Sequence, residues 1–194
     1  MPQRPSWRFA FAAALTVSGV CVMSAHAQPT APQNSTLDAP MFYQLLIGEL
    51  ELSQGQPGNA YEVILDAARR TRDEQLFRRA VDIALQARSG DQALAASRAW
   101  RQAAPQSADP LRMQLQILSA MNRVNDLAEP FRALLLMTPD AERGNLIASI
   151  PRFLQRAPDK RQAATLVDAV LDPYLKLPAS RVAALVASGR AWAQ

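Results

Sequence analysis

Residues 74–105 read EQLFRRAVDIALQARSGDQALAASRAWRQAAP. Phe77, Ala80, Val81 and Ala84 recur at steps of three and four, which puts them on one face of an α-helix. Asp73 precedes this run as a helix cap, and Ser89-Gly90-Asp91 interrupts it. A second helix, QALAASRAWRQA, follows, and Pro105 stops it. Two short helices joined by so brief a break form an antiparallel hairpin.

The same unit stands on either side. Upstream, FYQLLIGELELS is followed by the turn QGQPGN and then AYEVILDAARR. Downstream, DPLRMQLQILSAM and LAEPFRALLLM form a pair ended by Pro139. The rhythm is regular: Pro105, Pro139 and Pro173 stand at i, i+34 and i+68. The same i, i+34 relation links Phe77 to Leu111, Val81 to Leu115, Ala84 to Leu118, Ala93 to Leu127, Ser97 to Phe131 and Trp100 to Leu134. Alternating strand patterns are absent, and the apolar mass is Ala, Leu and Val, with only 6% aromatics. The expected fold class is therefore all-α.

A helix-turn-helix unit repeating at this period resembles the tetratricopeptide repeat family, here over residues 41–139. Ile47-Gly48 fills the apolar-Gly step of a first helix, as do Ala80-Val81 and Ala84 in the next unit. Ala60 with Ile64, Ala93 with Ser97, and Leu127 with Phe131 fill the second-helix slots of a small residue followed by a bulky one. Gln44 and Glu51 depart from the family's aromatic slots, and Ser97 is smaller than its slot demands. The resemblance implies an α-solenoid of antiparallel helix hairpins wound as a right-handed superhelix. It spans residues 41–194, as about four hairpins plus the first helix of a fifth.

The fourth unit is the least regular. ERGNLIASIPRFLQRAP carries Pro151 inside it, and an interior proline kinks a helix at a cost of about 3 kcal/mol. DKRQAATLVDAVLD follows, with Leu166, Val167, Val170 and Leu171 on one face. The last stretch, RVAALVASGRAWAQ at 181–194, resembles the opening helix of a further repeat, with Trp192 in the aromatic slot. It has no second helix after it. Leu185, Val186 and Trp192 are expected to be exposed at this end, so either the chain is a fragment of a longer protein or the last helix packs back on itself or on a partner.

The N-terminus reads differently. Arg4 and Arg8 precede the uncharged run FAFAAALTVSGVCVM, and Ala25 and Ala27 supply the small residues of a cleavage site. Residues 1–27 are expected to be a cleavable secretory signal, and 28–39, QPTAPQNSTLDA, a flexible polar leader. The product would be periplasmic or secreted, with no integral membrane span after processing. Ser18-Gly19-Val20-Cys21 matches the Leu-Ala-Gly-Cys lipoprotein pattern poorly, so outer-membrane anchoring through Cys21 is the secondary expectation. Removing the signal takes Lys+Arg from 21 to 19 against 17 Asp+Glu, so the net charge falls from +4 to +2. That balance argues against a nucleic-acid partner.

The single Cys and the single His of the chain, Cys21 and His26, both lie in the signal. A processed chain has no thiolate nucleophile, no imidazole base, no disulfide and no usual zinc ligand set. Glu49 and Glu51 are two apart and lie on different sides of a helix. Leu52, not Ser, follows Glu51, which departs from the pattern of helical lytic transglycosylases. The expectation is a protein with no catalytic residues, no metal and no cofactor.

The family's first helices line the concave face of the superhelix. The resemblance thus implies a binding face made of Glu49, Arg78, Arg79, Asp82, Gln86, Arg112 and Gln116. Arg78 and Arg112 also stand at i and i+34 and are expected to stack as a ladder. Guanidinium forks suit carboxylates, so the expected ligand is a protein or an extended peptide, including its carboxyl terminus. The stretch from Phe42 to Leu85 also resembles the start of large tetratricopeptide proteins exported by Gram-negative bacteria, among them an adaptor for a carboxyl-terminal processing protease. Two functions follow. One is a non-catalytic scaffold, with an adaptor role in envelope proteolysis or assembly. The alternative is a helical accessory domain of a cell-wall enzyme whose catalytic part is absent from this chain.

Overall fold

The helices form where the apolar spacing puts them. In the computed structural model, residues 39–193 are described; the expected signal and all of the expected leader except Ala39 lie outside them. Nine α-helices are present among the described residues: α1 (Ala39–Ser53), α2 (Pro57–Thr71), α3 (Glu74–Gln86), α4 (Gly90–Ala103), α5 (Asp109–Ala120), α6 (Ala128–Met137), α7 (Asp140–Phe153), α8 (Lys160–Leu175) and α9 (Pro178–Trp192). A single 3₁₀ turn, Val124–Leu127, leads into α6. The all-α expectation holds for these residues. None of their helices is long and apolar enough to cross a membrane.

The caps explain the starts. The Asp73 carboxylate accepts from the Gln75 N–H at 2.8 Å, and the Asp159 carboxylate accepts from the Gln162 N–H at 2.9 Å. Pro57, Pro110 and Pro178 sit in the first turns of α2, α5 and α9, where a missing N–H removes no helical bond. The turns closing α1, α3 and α5 share one form. Each has a left-handed residue, Gly55, Arg88 or Asn122. The next N–H reaches back to the helix: Gln56 to Glu51 O at 2.9 Å, Ser89 to Ala84 O at 2.8 Å, Arg123 to Leu118 O at 2.9 Å. Arg88 and Asn122 again stand at i and i+34, so the period seen in the side chains recurs in the backbone.

Packing follows the same period. Phe77, Leu111, Val81, Leu115, Ala84 and Leu118 are all buried, as are Ala93, Leu127, Ser97, Phe131, Trp100 and Leu134. Consecutive helices from α1 to α6 pack on one another. Gly48 lets α1 approach α2 closely: a Cβ there would stand 2.9 Å from Ile64 Cδ1.

The C-terminal third departs from the expected pairing. α7 includes Pro151 and ends at Phe153, two residues beyond it. α8 instead runs through Pro173 and buries Tyr174. α7 and α8 touch only sparsely, so they do not make the expected fourth hairpin. α9 packs along both of them. It does so with a stripe of small residues, Ser180, Ala184, Ala187 and Ala191, all buried. α9 is therefore no free first helix awaiting a partner. Its larger residues, Leu185, Val186 and Trp192, are exposed as expected, and Val182 with them.

Candidate functional site

The outward face of α3 carries Arg78, Arg79 and Asp82 into a groove of about 560 Å³, whose other lining residues are Glu74, Gln75, Trp100, Ser107 and Asp109. Burial of Phe77, Ala80, Val81 and Ala84 on the opposite side of α3 fixes this orientation. The helical register then turns Arg78 and Asp82 outward together.

Both arginines are held, and each ties α3 to another first helix. Arg79 forms a two-point fork with Glu49 of α1, Nε to Oε1 at 2.8 Å and Nη2 to Oε2 at 2.6 Å. Hydrogen bonding to Arg79 draws the Glu49 pKa below its ordinary value, and the same bond raises that of Arg79. Arg78 Nη2 donates to Asp109 Oδ2 of α5 at 2.8 Å, and Arg112 Nη1 donates to Asp109 Oδ1 at 3.2 Å. Arg78 and Arg112 thus share one carboxylate. Arg78 also lies over the Trp100 ring, 5.5 Å from its centroid. Trp100 is buried, and its Nε1–H donates to Glu74 Oε2 at 2.7 Å.

Glu49–Arg79 thus links α1 to α3, and Arg78–Asp109–Arg112 links α3 to α5, with Asp82 beside them in the groove. Two other residues of the expected face lie apart. Gln86 is exposed at the end of α3, beyond the groove. Gln116 lines a separate hollow with Ser119, Ser149, Arg152 and Phe153. Three residues that shape the groove were not singled out from the sequence as site residues. Asp109 stands three residues before Arg112, a spacing that marks an ion pair on a helix. Glu74 and Trp100 come together only through the α3–α4 hairpin.

The arrangement is an open, polar surface with guanidinium donors and carboxylate acceptors in alternation. Glu49, Glu74 and Asp109 each accept from a fixed donor. No protein-family model matches the chain, and no curated protein matches it.

Proposed function

We propose that this chain is a non-catalytic helical scaffold that binds an extended polypeptide across α1, α3 and α5, and that it works outside the cytoplasm as an adaptor in envelope proteolysis or assembly. One observation carries the binding reading: Asp109 is shared by Arg78 and Arg112. Two guanidinium groups against one carboxylate leave unused N–H donors, in a groove whose lining also carries the acids Glu74 and Asp82. A ligand carboxylate, from an acidic side chain or a chain terminus, completes that cluster. Trp100 beneath Arg78 holds the fork in place and limits the entropy lost on binding. Gln75, Asp82 and Ser107 add donors and acceptors suited to a peptide backbone. The extracytoplasmic setting rests on the signal-like pattern of residues 1–27.

The test is an immobilised peptide library in which each peptide carries a free or an amidated carboxyl terminus. Captured peptides should be acidic or carry the free terminus. Their binding should fall at least tenfold in Arg78→Ala and Arg112→Ala and weaken with salt. Binding unchanged in both variants would overturn the reading, as would indifference to ligand charge.

A further inference from the structure

Gln114 is the one buried polar residue of α5, only 3% exposed. The repeat sets Ala80 and Ala148 at the equivalent steps, i−34 and i+34. A carboxamide in place of a methyl group is costly to bury unless its polar atoms find partners. The protein meets half of that demand: Gln114 Nε2 donates to Ser97 O of α4 at 3.1 Å. This bond fixes which way the amide points, and Oε1 is the atom left over. None of the described residues donates to it. Among them no side-chain polar atom is both sealed off and unpaired, so Oε1 opens on the hollow that Gln114 lines.

This hollow has a volume of about 470 Å³, and its other lining residues are Arg98, Arg101 and Gln102 of α4, Pro105, and Glu129 of α6. It faces away from the α1–α3–α5 groove. Gln114 stands two residues from Arg112, about 200° around α5, and Arg98 stands two from Trp100, about 200° around α4. One wall is set by Arg101, whose Nη1 donates to Glu129 Oε2 at 2.7 Å. The Arg98 charge also acts on Glu129, yet Arg98 and Gln102 form no hydrogen bond with any described residue. Both are exposed at the rim.

The hollow therefore offers an acceptor at its floor and unused donors at its rim, with Glu129 offsetting part of the arginine charge. A carboxylate carries no proton for the floor oxygen, and an ammonium group would lie beside two arginines. A primary carboxamide fits both ends: its N–H donates to Gln114 Oε1 while its oxygen accepts from Arg98 or Gln102. A backbone amide has similar atoms, but the chain runs on from it at both sides, and so deep a floor is reached by the tip of a side chain. We propose that this hollow is a second binding site, which takes the side-chain carboxamide of a Gln or Asn on a partner polypeptide docked against α4 and α6. The site shares no residue with the α1–α3–α5 groove and does not depend on the function proposed for it.

The test is an NMR titration read at the amides of α4 and α5. The probes are tripeptides acetyl-Ala-X-Ala-N-methylamide, with Gln, Asn, Glu or Leu at X, and N-acetylglucosamine as a non-peptide amide. The Gln or Asn peptide should saturate in the millimolar range, and the Glu and Leu peptides should bind at least fivefold more weakly, the loss of one hydrogen bond. Gln114→Met, which keeps the bulk and removes the acceptor, should weaken the carboxamide peptide at least fivefold, and so should Arg98→Ala. Circular dichroism checks that both variants stay helical; should Gln114→Met unfold, Arg98→Ala decides. Arg78→Ala should leave this affinity unchanged, so failure here is told apart from failure of the groove. The proposal is overturned if no peptide saturates by tens of millimolar, if the Glu or Leu peptide binds as well, if N-acetylglucosamine binds better than every peptide, or if folded variants bind like the unsubstituted chain.

Discussion

Replacing Gly48 by alanine tests whether α1 and α2 cross as closely as the structure has them. Two terms oppose each other. Alanine in a helix interior is favoured over glycine by about 1 kcal/mol. Against this, the new Cβ would stand 2.9 Å from Ile64 Cδ1, 3.0 Å from Ile64 Cγ1 and 3.4 Å from Val63 Cγ1. Carbon atoms prefer about 3.5–4.0 Å. The tip of Ile64 is flexible in principle, but Ile64 is only 1% exposed and its surroundings are packed. Overpacking of this kind costs about 1–3 kcal/mol. The overpacking term wins, and Gly48→Ala should lose about 1 kcal/mol, read by urea unfolding or as a Tm about 2–4 °C lower. Ile64→Val removes the clashing Cδ1 and alone costs about 0.5–1.5 kcal/mol. In that background Gly48→Ala should become neutral or stabilising, a coupling of about 1–2 kcal/mol in a double-mutant cycle. A gain of about 1 kcal/mol from Gly48→Ala in both backgrounds would refute the close crossing.

Arg88 holds φ at 56°, a left-handed conformation that disfavours side chains, so Arg88→Gly should stabilise by roughly 0.5 kcal/mol after the added freedom of the unfolded chain is subtracted. Arg88→Ala, which keeps the Cβ, should change little; chemical denaturation of the two variants separates the cases. Because Arg79 lowers the Glu49 pKa, the pair's contribution is present above the ordinary glutamate value near 4.3 and is lost as pH falls through the lowered folded value. With side chains 35% and 48% exposed the contribution is about 0.2–1 kcal/mol, so the stability gap between the chain and Glu49→Gln should hold near neutrality and close as the pH falls below the ordinary glutamate range. Ala187 is fully buried where α9 meets its neighbours, so Ala187→Leu should cost about 1–3 kcal/mol. Val182→Leu, on the exposed side of the same helix, should stay within about 0.5 kcal/mol by thermal melting.

The first three hairpins were legible because one signal is written there several times over. The large residues at Phe77, Trp100, Leu111 and Leu134 sit on the buried faces, and turn chemistry agrees with them. In α9 hydrophobicity alone does not find the buried face. Val182, Leu185, Val186 and Trp192 form the more hydrophobic stripe, yet it is the alanine stripe that is buried. A helix that packs closely along two neighbours at once needs small side chains on its contact face, and apolar size does not report that need. The site shows a similar division. The repeat period relates Arg78 to Arg112, and the first-helix positions bring in Glu49. What the arginines hold was hidden, because Glu49 lies 30 positions from Arg79 and Asp109 lies 31 from Arg78. Only the stacking of successive hairpins brings such residues together. Gln86 is the last residue of α3 and lies outside the groove.

The placement of α9 also governs the order in which the molecule can be built. A ribosome delivers α1 to α6 as pairs of neighbours, and each hairpin can close soon after its second helix emerges. α7 has no such option. It touches α8 sparsely, and its main partner, α9, starts only at Pro178, after the whole of α8 has been made. Until α9 arrives, the sides of α7 and α8 that it covers stand open. The last three helices should thus form, and come apart, as a single block. In a nascent chain, that block is the stretch on which a holding chaperone or a protease would find its longest opportunity.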